Sequence, residues 1–449
     1  MTVRTKLALT VPVAAMLTLG LLPPTASGVT DSAPVATCLG ERATLVGSPA
    51  TRLKGTPRRD VIVSNGAGRI EALGGDDLIC ITGLAENPSS WVLVHDGPGD
   101  DRIDASALGT RRVVASLQGG DDTYWGGPGP DSVHLAGGGR DRVRTRGGDD
   151  SVGLGDERPG PRPDLVDLGP GADAINLRIT HTGPRGAAVR VRGGHGRDRF
   201  DIRGKSDRPW SVGARAGRAT EGARLQAPRL DFSSFETFDL VVLRTPSLRF
   251  VGSDKSEDIW LSSPSEPGSE APWVVVGRKI DVQAGGGDDS LLVSAEDRGP
   301  IAGGGGDNAL SVVDVFGTAT VVADLAGGAI DLTDFRDPTS HHLLAVDAFP
   351  DLDLWNFADF TATGDSGDNR LQVYGCEAAV HIDGGPGDDT ADGGPGPTSA
   401  RRRPCRTARR DAHVAGQGLR MGLTASRRVR TVPAARLPDP MHSATPRPW

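Results

Sequence analysis

Aromatic residues supply only 4% of this 449-residue chain, and glutamate is scarce, with 11 residues against 47 aspartates. So few rings argue against one conventional aromatic-rich core, even though the length would allow two or three ordinary domains. Helical surfaces favour glutamate, so the excess of aspartate points to tight loops instead. Neither an HExxH zinc helix nor a GxSxG nucleophile elbow occurs. The nine histidines are scattered, and the adjacent pair His341 and His342 would face opposite sides of a strand. Four cysteines without a CxxC spacing disfavour a thiolate metal site and leave three possible disulfide pairings. The near-neighbour choice joins Cys38 to Cys80 and Cys376 to Cys405.

Glycine, by contrast, is abundant at 63 residues, and it recurs in register. From Leu117 to Asn176 a nine-residue unit repeats six times, most cleanly as GGPGPDSVH at 126–134. Its units end in Asp122, Asp131, Asp141, Asp150, Asp164 and Asp173, spaced 9, 10, 9, 14 and 9 residues apart. Two positions after each aspartate stands Tyr124, Val133, Val143, Val152, Val166 or Ile175. A fixed period dictates architecture before local propensity does. The triplet around the apolar residue is too short for a helix and fits a brief strand with one inward side chain. Two units then make a coil of about 18 residues, so each loop stacks on the loop two units along. Asp122 pairs with Asp141, Asp131 with Asp150, Asp141 with Asp164, and Asp150 with Asp173.

The loop chemistry suits a hard cation. Glycines at the first, second and fourth places permit positive φ and bring carbonyls together, with Gly120, Gly129, Gly139 and Gly148 as the fourth-place members. The aspartate adds a short carboxylate, as calcium's six to eight oxygen ligands require. The competing reading is that these aspartates only cap glycine turns by hydrogen bonding. Further units are DGPGDDRID (96–104) with Asp101, GGHGRDRFD (193–201) with Asp198, AGGGDDSLL (284–292) with Asp289 and GGPGDDTAD (384–392) with Asp389. GGGGDNALS (303–311) and GDSGDNRLQ (364–372) put Asn308 and Asn369 at the sixth place, keeping an oxygen and losing a charge. GTPRRDVIV (55–63) and ALGGDDLIC (72–80) read as worn copies that start the stack.

The net charge of −8 hides two opposed parts. Residues 399–449 hold 12 arginines and two aspartates, which leaves 38 basic against 56 acidic residues, a net −18, in 1–398. Such a body repels itself and repels phosphate, so cations are expected as partners and nucleic acid is not. Folding should then be coupled to metal binding. At the N-terminus Arg4 and Lys6 precede an apolar run to Leu22 and then small residues, the pattern of a secretory signal cut near Ser27 or Gly28. No membrane-spanning segment is expected after that cut.

In these residues the chain resembles the hemolysin-type calcium-binding repeat, the repeats-in-toxin (RTX) nonapeptide GGxGxDxUx. The resemblance implies Ca2+ as the bound ion and an all-β parallel β-roll or β-solenoid. It also suggests a secreted, extracellular surface, adhesive or matrix role, with cell-surface or matrix polymers as further partners. Relatives exported by a type I machine usually carry a C-terminal signal, so the N-terminal run argues for the general secretory route and against a pore-forming toxin. The expected organisation is a signal at 1–28, calcium-binding repeats at 29–201 and degenerate metal-free coils at 202–283. Degenerate calcium-binding repeats follow at 284–398, then a disordered basic tail at 399–449. A separate β-sandwich is the alternative for 202–283. No catalytic module is expected; the alternative is a carbohydrate-active lyase or epimerase with its site on a solenoid face within 202–360.

Overall fold

The computed structural model describes residues 35–392 except 50, 84–90, 155–163, 180–188, 223–228, 262–276, 315–316, 335–336 and 375–378. The N-terminal apolar run, the basic tail, Cys376, Cys405 and the loop with Asp156, Glu157 and Pro159 lie outside the described residues.

Every regular element among the described residues is a strand. The repeat explains why: glycine loops interrupt the chain too often for anything longer than short segments such as Thr123–Trp125, Asp131–Leu135, Arg142–Arg144 and Ser151–Leu154. Successive segments fall alternately into two sheets. Tyr124 pairs with Val143 in one sheet and Val133 with Val152 in the other, both parallel. Each coil therefore contributes one strand to each sheet and advances 19 residues here, close to the 18 expected. The six predicted inward residues, Tyr124, Val133, Val143, Val152, Val166 and Ile175, are all buried, at most 3% exposed. Burying such a side chain is worth about 1.5–3 kcal/mol, and its repetition builds one continuous core along the stack.

One sheet contains 15 strands, from Arg52–Lys54 to Thr390–Asp392, all parallel. It runs unbroken through the segment where the glycine loops vanish. Arg199–Lys205 pairs with Thr237–Leu243, which pairs with Asp258–Trp260, which pairs with Ser290–Ser294. Among the described residues the parallel ladder thus continues across 202–283.

The other sheet runs from Leu45–Val46 to Ala379–Asp383 and carries two antiparallel meanders. The first comprises Trp210–Gly213, Arg218–Glu221 and Arg229–Ser233. Ala319–Asp324, Ala329–Asp334 and Asp337–Asp347 form the second. Beside the first meander the core changes from Val and Ile to phenylalanine: Phe200, Phe232, Phe235, Phe238 and Phe250 pack with ring centroids 4.6–6.1 Å apart. The rings pack against one another and keep the interior filled there, as close-packed cores require.

At the N-terminal end a hairpin of Thr37–Cys38 and Glu41–Arg42 lies on the outer side of the first coils. Cys38 is disulfide-bonded to Cys80, as the near-neighbour pairing expects. Together with Val61, Val63 and Leu78 they form a small second apolar cluster. Among the described residues no helix is long and apolar enough to cross a membrane.

Candidate metal centre

The repeat aspartates stack into two columns, one along the loops entering each sheet. Their side chains and backbones interlock. In the first column the N–H of Asp60 donates to Oδ1 of Asp77 (2.7 Å), Asp77 to Asp101 (2.7 Å), Asp101 to Asp122 (2.9 Å), Asp122 to Asp141 (3.0 Å) and Asp141 to Asp164 (3.0 Å). In the second, Asp131 donates to Asp150 (2.7 Å), Asp150 to Asp173 (2.8 Å) and Asp173 to Asp198 (3.1 Å). The four pairs expected from loop stacking are therefore all adjacent, including the two across the 14-residue gap.

These bonds use one oxygen of each carboxylate. Oδ2 of Asp77, Asp101, Asp122, Asp173, Asp198 and Asp289 is buried without a hydrogen-bond partner. Among the described residues the charged neighbours acting on these groups are other carboxylates, with no arginine or lysine compensating them. Burial, reinforced by that repulsion, pushes Asp122 up to about 8, Asp77, Asp141 and Asp173 up to about 7, and Asp101 and Asp289 up to about 6. Asp164 is half-buried and likewise raised by burial. At the far end Asp389 accepts the N–H of Asn369 at 2.9 Å but is only partly covered.

An orphaned buried carboxylate oxygen is resolved by a proton or by a cation. The donor set here is all oxygen and strongly acidic, which fits a hard ion such as calcium and excludes a soft thiolate-seeking one. The glycines make the required approach in two ways. Gly120 has φ +140° and a Cβ added there would lie 2.1 Å from the Gly99 carbonyl oxygen. Gly129, in the cleanest repeat, is absent from the positive-φ residues, yet its Cβ would lie 2.4 Å from the Thr110 carbonyl carbon. Close backbone packing, not left-handed conformation, demands glycine at 129.

Three features escape the motif. Glutamates continue the second column where the glycines stop: Asp198 donates its N–H to Glu236 Oε2 at 3.1 Å, and Glu257 donates to Asp289 Oδ1 at 2.8 Å. Each stands two positions before an inward residue, Phe238 or Ile259, so the acid-plus-two rule finds them, with a first-place glycine, Gly252, kept before Glu257 and none before Glu236. The first aspartates of the double-aspartate loops form a separate, exposed ladder of opposite direction: Asp100 donates to Asp76 (2.9 Å), Asp121 to Asp100 (2.8 Å) and Arg140 to Asp121 (2.9 Å). Lastly, Asp96 opens the unit DGPGDDRID and is fully buried, with its carboxyl pushed up to about 9 by burial and by Asp122 and Asp101.

Within 202–360, an open groove is lined by Arg249, Lys279, Asp281, Arg298 and His341. Its carboxylate Asp281 is ion-paired with Arg249 at 3.3 Å. His341 faces solvent beside Asp331, and His195 is exposed. No protein-family model matches this chain, and no curated protein matches it either.

Proposed function

We propose that this chain is a secreted calcium-binding β-roll whose folding is coupled to extracellular calcium and whose role is structural or adhesive. One observation carries the reading. Two columns of buried aspartates keep an oxygen without a hydrogen-bond partner in each of several loop pairs, and the charged groups acting on them among the described residues are other carboxylates. A proton satisfies such an oxygen only where the pH lies below its raised pKa, whereas a divalent cation satisfies it at neutral pH. The resemblance to the repeats-in-toxin nonapeptide and the apolar N-terminal run agree with this environment, since extracellular calcium is plentiful.

An outward face supports cell-surface or matrix polymers as partners. Arg142 and Arg190 flank Leu165, and Arg144 and Arg192 flank Asp167, all on adjacent parallel strands. These guanidinium groups are exposed and lie apart from the aspartate columns. We favour ion binding over a carbohydrate-active enzyme because the columns hold buried carboxylate oxygens without a hydrogen-bond partner, whereas the carboxylate of the groove beside Lys279 and His341 is held by Arg249.

Circular dichroism and calcium titration of the secreted chain test the reading. In excess chelator the β signal should weaken and the thermal midpoint fall, and calcium should restore both. An unchanged β signal and midpoint in chelator would overturn it.

A further inference from the structure

We propose that Asp96 converts one loop pair into a tricarboxylate cation site that fills before the others. The inference deepens the calcium-binding reading and rests on it. Asp96, Asp101 and Asp122 each present a carboxylate oxygen within 4.8 Å of the other two, and all three residues are buried, at 0%, 0% and 1% exposure.

Position decides the argument. Asp96 stands five residues before its column aspartate, Asp101, and the neighbouring coils place Ala72 and Leu117 at the equivalent point, both fully buried. A carboxylate therefore occupies a core position that the coils on either side give to an apolar side chain. Left uncompensated, that exchange is strongly unfavourable.

The hydrogen bonds account for only half of each group. Asp96 Oδ1 accepts the N–H groups of Gly97 (2.6 Å) and Gln118 (3.0 Å). Oδ1 of Asp101 accepts from Asp77, and Oδ1 of Asp122 from Asp101. All three Oδ2 atoms are buried without a hydrogen-bond partner. Three converging oxygens suit a hard, oxygen-seeking cation. Loop pairs elsewhere in the columns bring two carboxylates together, so this site carries one more negative charge. Affinity for calcium rises with ligand charge, and a trivalent ion gains more from the extra carboxylate than a divalent one.

The full chain, stripped of metal, is titrated by calorimetry with Ca2+ and, separately, with Tb3+. Asp96→Asn and Asp173→Asn are titrated beside it. Asparagine at 96 keeps the acceptor for Gly97 and Gln118 and removes the charge. Wild type should show one equivalent binding at least about tenfold tighter than the rest, with Tb3+ filling it first. Asp96→Asn should lose that class and keep the weaker ones. Asp173→Asn, in the other column, should keep the tight class.

Asp96→Ala, which copies the Ala72 of the preceding coil, serves as the second variant should asparagine impair folding. Affinity and stoichiometry unchanged in Asp96→Asn would mean that the residue only braces its turn, and the inference fails while the wider reading stands. Uniform affinity in wild type also overturns the inference. Absence of binding to any of the chains overturns both.

Discussion

Asp289 donates its backbone N–H to Oδ1 of Asn308 at 2.9 Å, the same bond that Asp150 makes to Asp173 at 2.8 Å. An amide therefore serves the ladder as well as a carboxylate does. The structural task of the sixth position and its charge are separable, and a substitution can remove one without the other.

Asp173 offers that separation. Its Oδ1 holds the N–H of Asp150, its Oδ2 is buried without a hydrogen-bond partner, and the residue is 1% exposed. Asp173→Ala leaves the Asp150 N–H without its acceptor and should destabilise the fold by about 1–3 kcal/mol with or without calcium. Asp173→Asn keeps the bond and removes a buried charge. In chelator at pH 8 it should melt at or above the wild-type temperature, whereas in saturating calcium it should melt below. Paired thermal melts under the two conditions decide the matter. Equal losses in both variants and both conditions would show that the charge has no separate role.

Much of this was legible in the sequence because the repeat forces each residue into one environment. The inward set from Tyr124 to Ile175, the stacking of Asp122 on Asp141, and the Cys38–Cys80 bridge all follow from period and proximity. Other features escaped for identifiable reasons. Glu236 and Glu257 hold the column with glutamate in place of the motif's aspartate and without its fourth-place glycine, so the pattern does not mark them. The meanders at 210–233 and 319–347 were hidden because strands of either direction share the same alternation, and only pairing reveals which way they run. Asp96 is hidden because it holds the first place of its unit, where the motif has glycine; an acid at that core position is its signal.

The metal-free chain should lose stability as pH rises. Burial holds the folded-state values of Asp77 and Asp173 at about 7 and Asp122 at about 8, above an unfolded value near 3.9. The folded state then binds more protons than the unfolded one between those limits. Stability is fully present below about pH 3.9 and declines as pH passes through the folded values. In chelator, the thermal midpoint should therefore be higher at pH 5 than at pH 8.5. Calcium competes with those protons, so its stabilising effect should grow over the same interval. A chelated midpoint that rises with pH from 5 to 8.5 would contradict the assignment of these groups as buried and uncompensated.

Neighbouring glycines should respond oppositely to a single methyl group. A Cβ at Gly119 meets nothing within 4 Å, whereas one at Gly120 would lie 2.1 Å from the Gly99 carbonyl oxygen, at φ +140°. Alanine at 119 should change stability by no more than about 0.5 kcal/mol, as substitutions in open space do. Alanine at 120 must either push the adjacent coil away or abandon its backbone conformation, which costs on the order of 1–3 kcal/mol. The damage should reach the ions too, because parting the coils at Gly99 and Gly120 also parts Asp101 from Asp122, whose N–H to Oδ1 bond spans 2.9 Å. Urea denaturation in saturating calcium, followed by a calcium titration, reads both effects. If Gly120→Ala unfolds at the wild-type urea concentration with its tightest calcium class intact, the close approach of these loops is not what holds the carboxylates together.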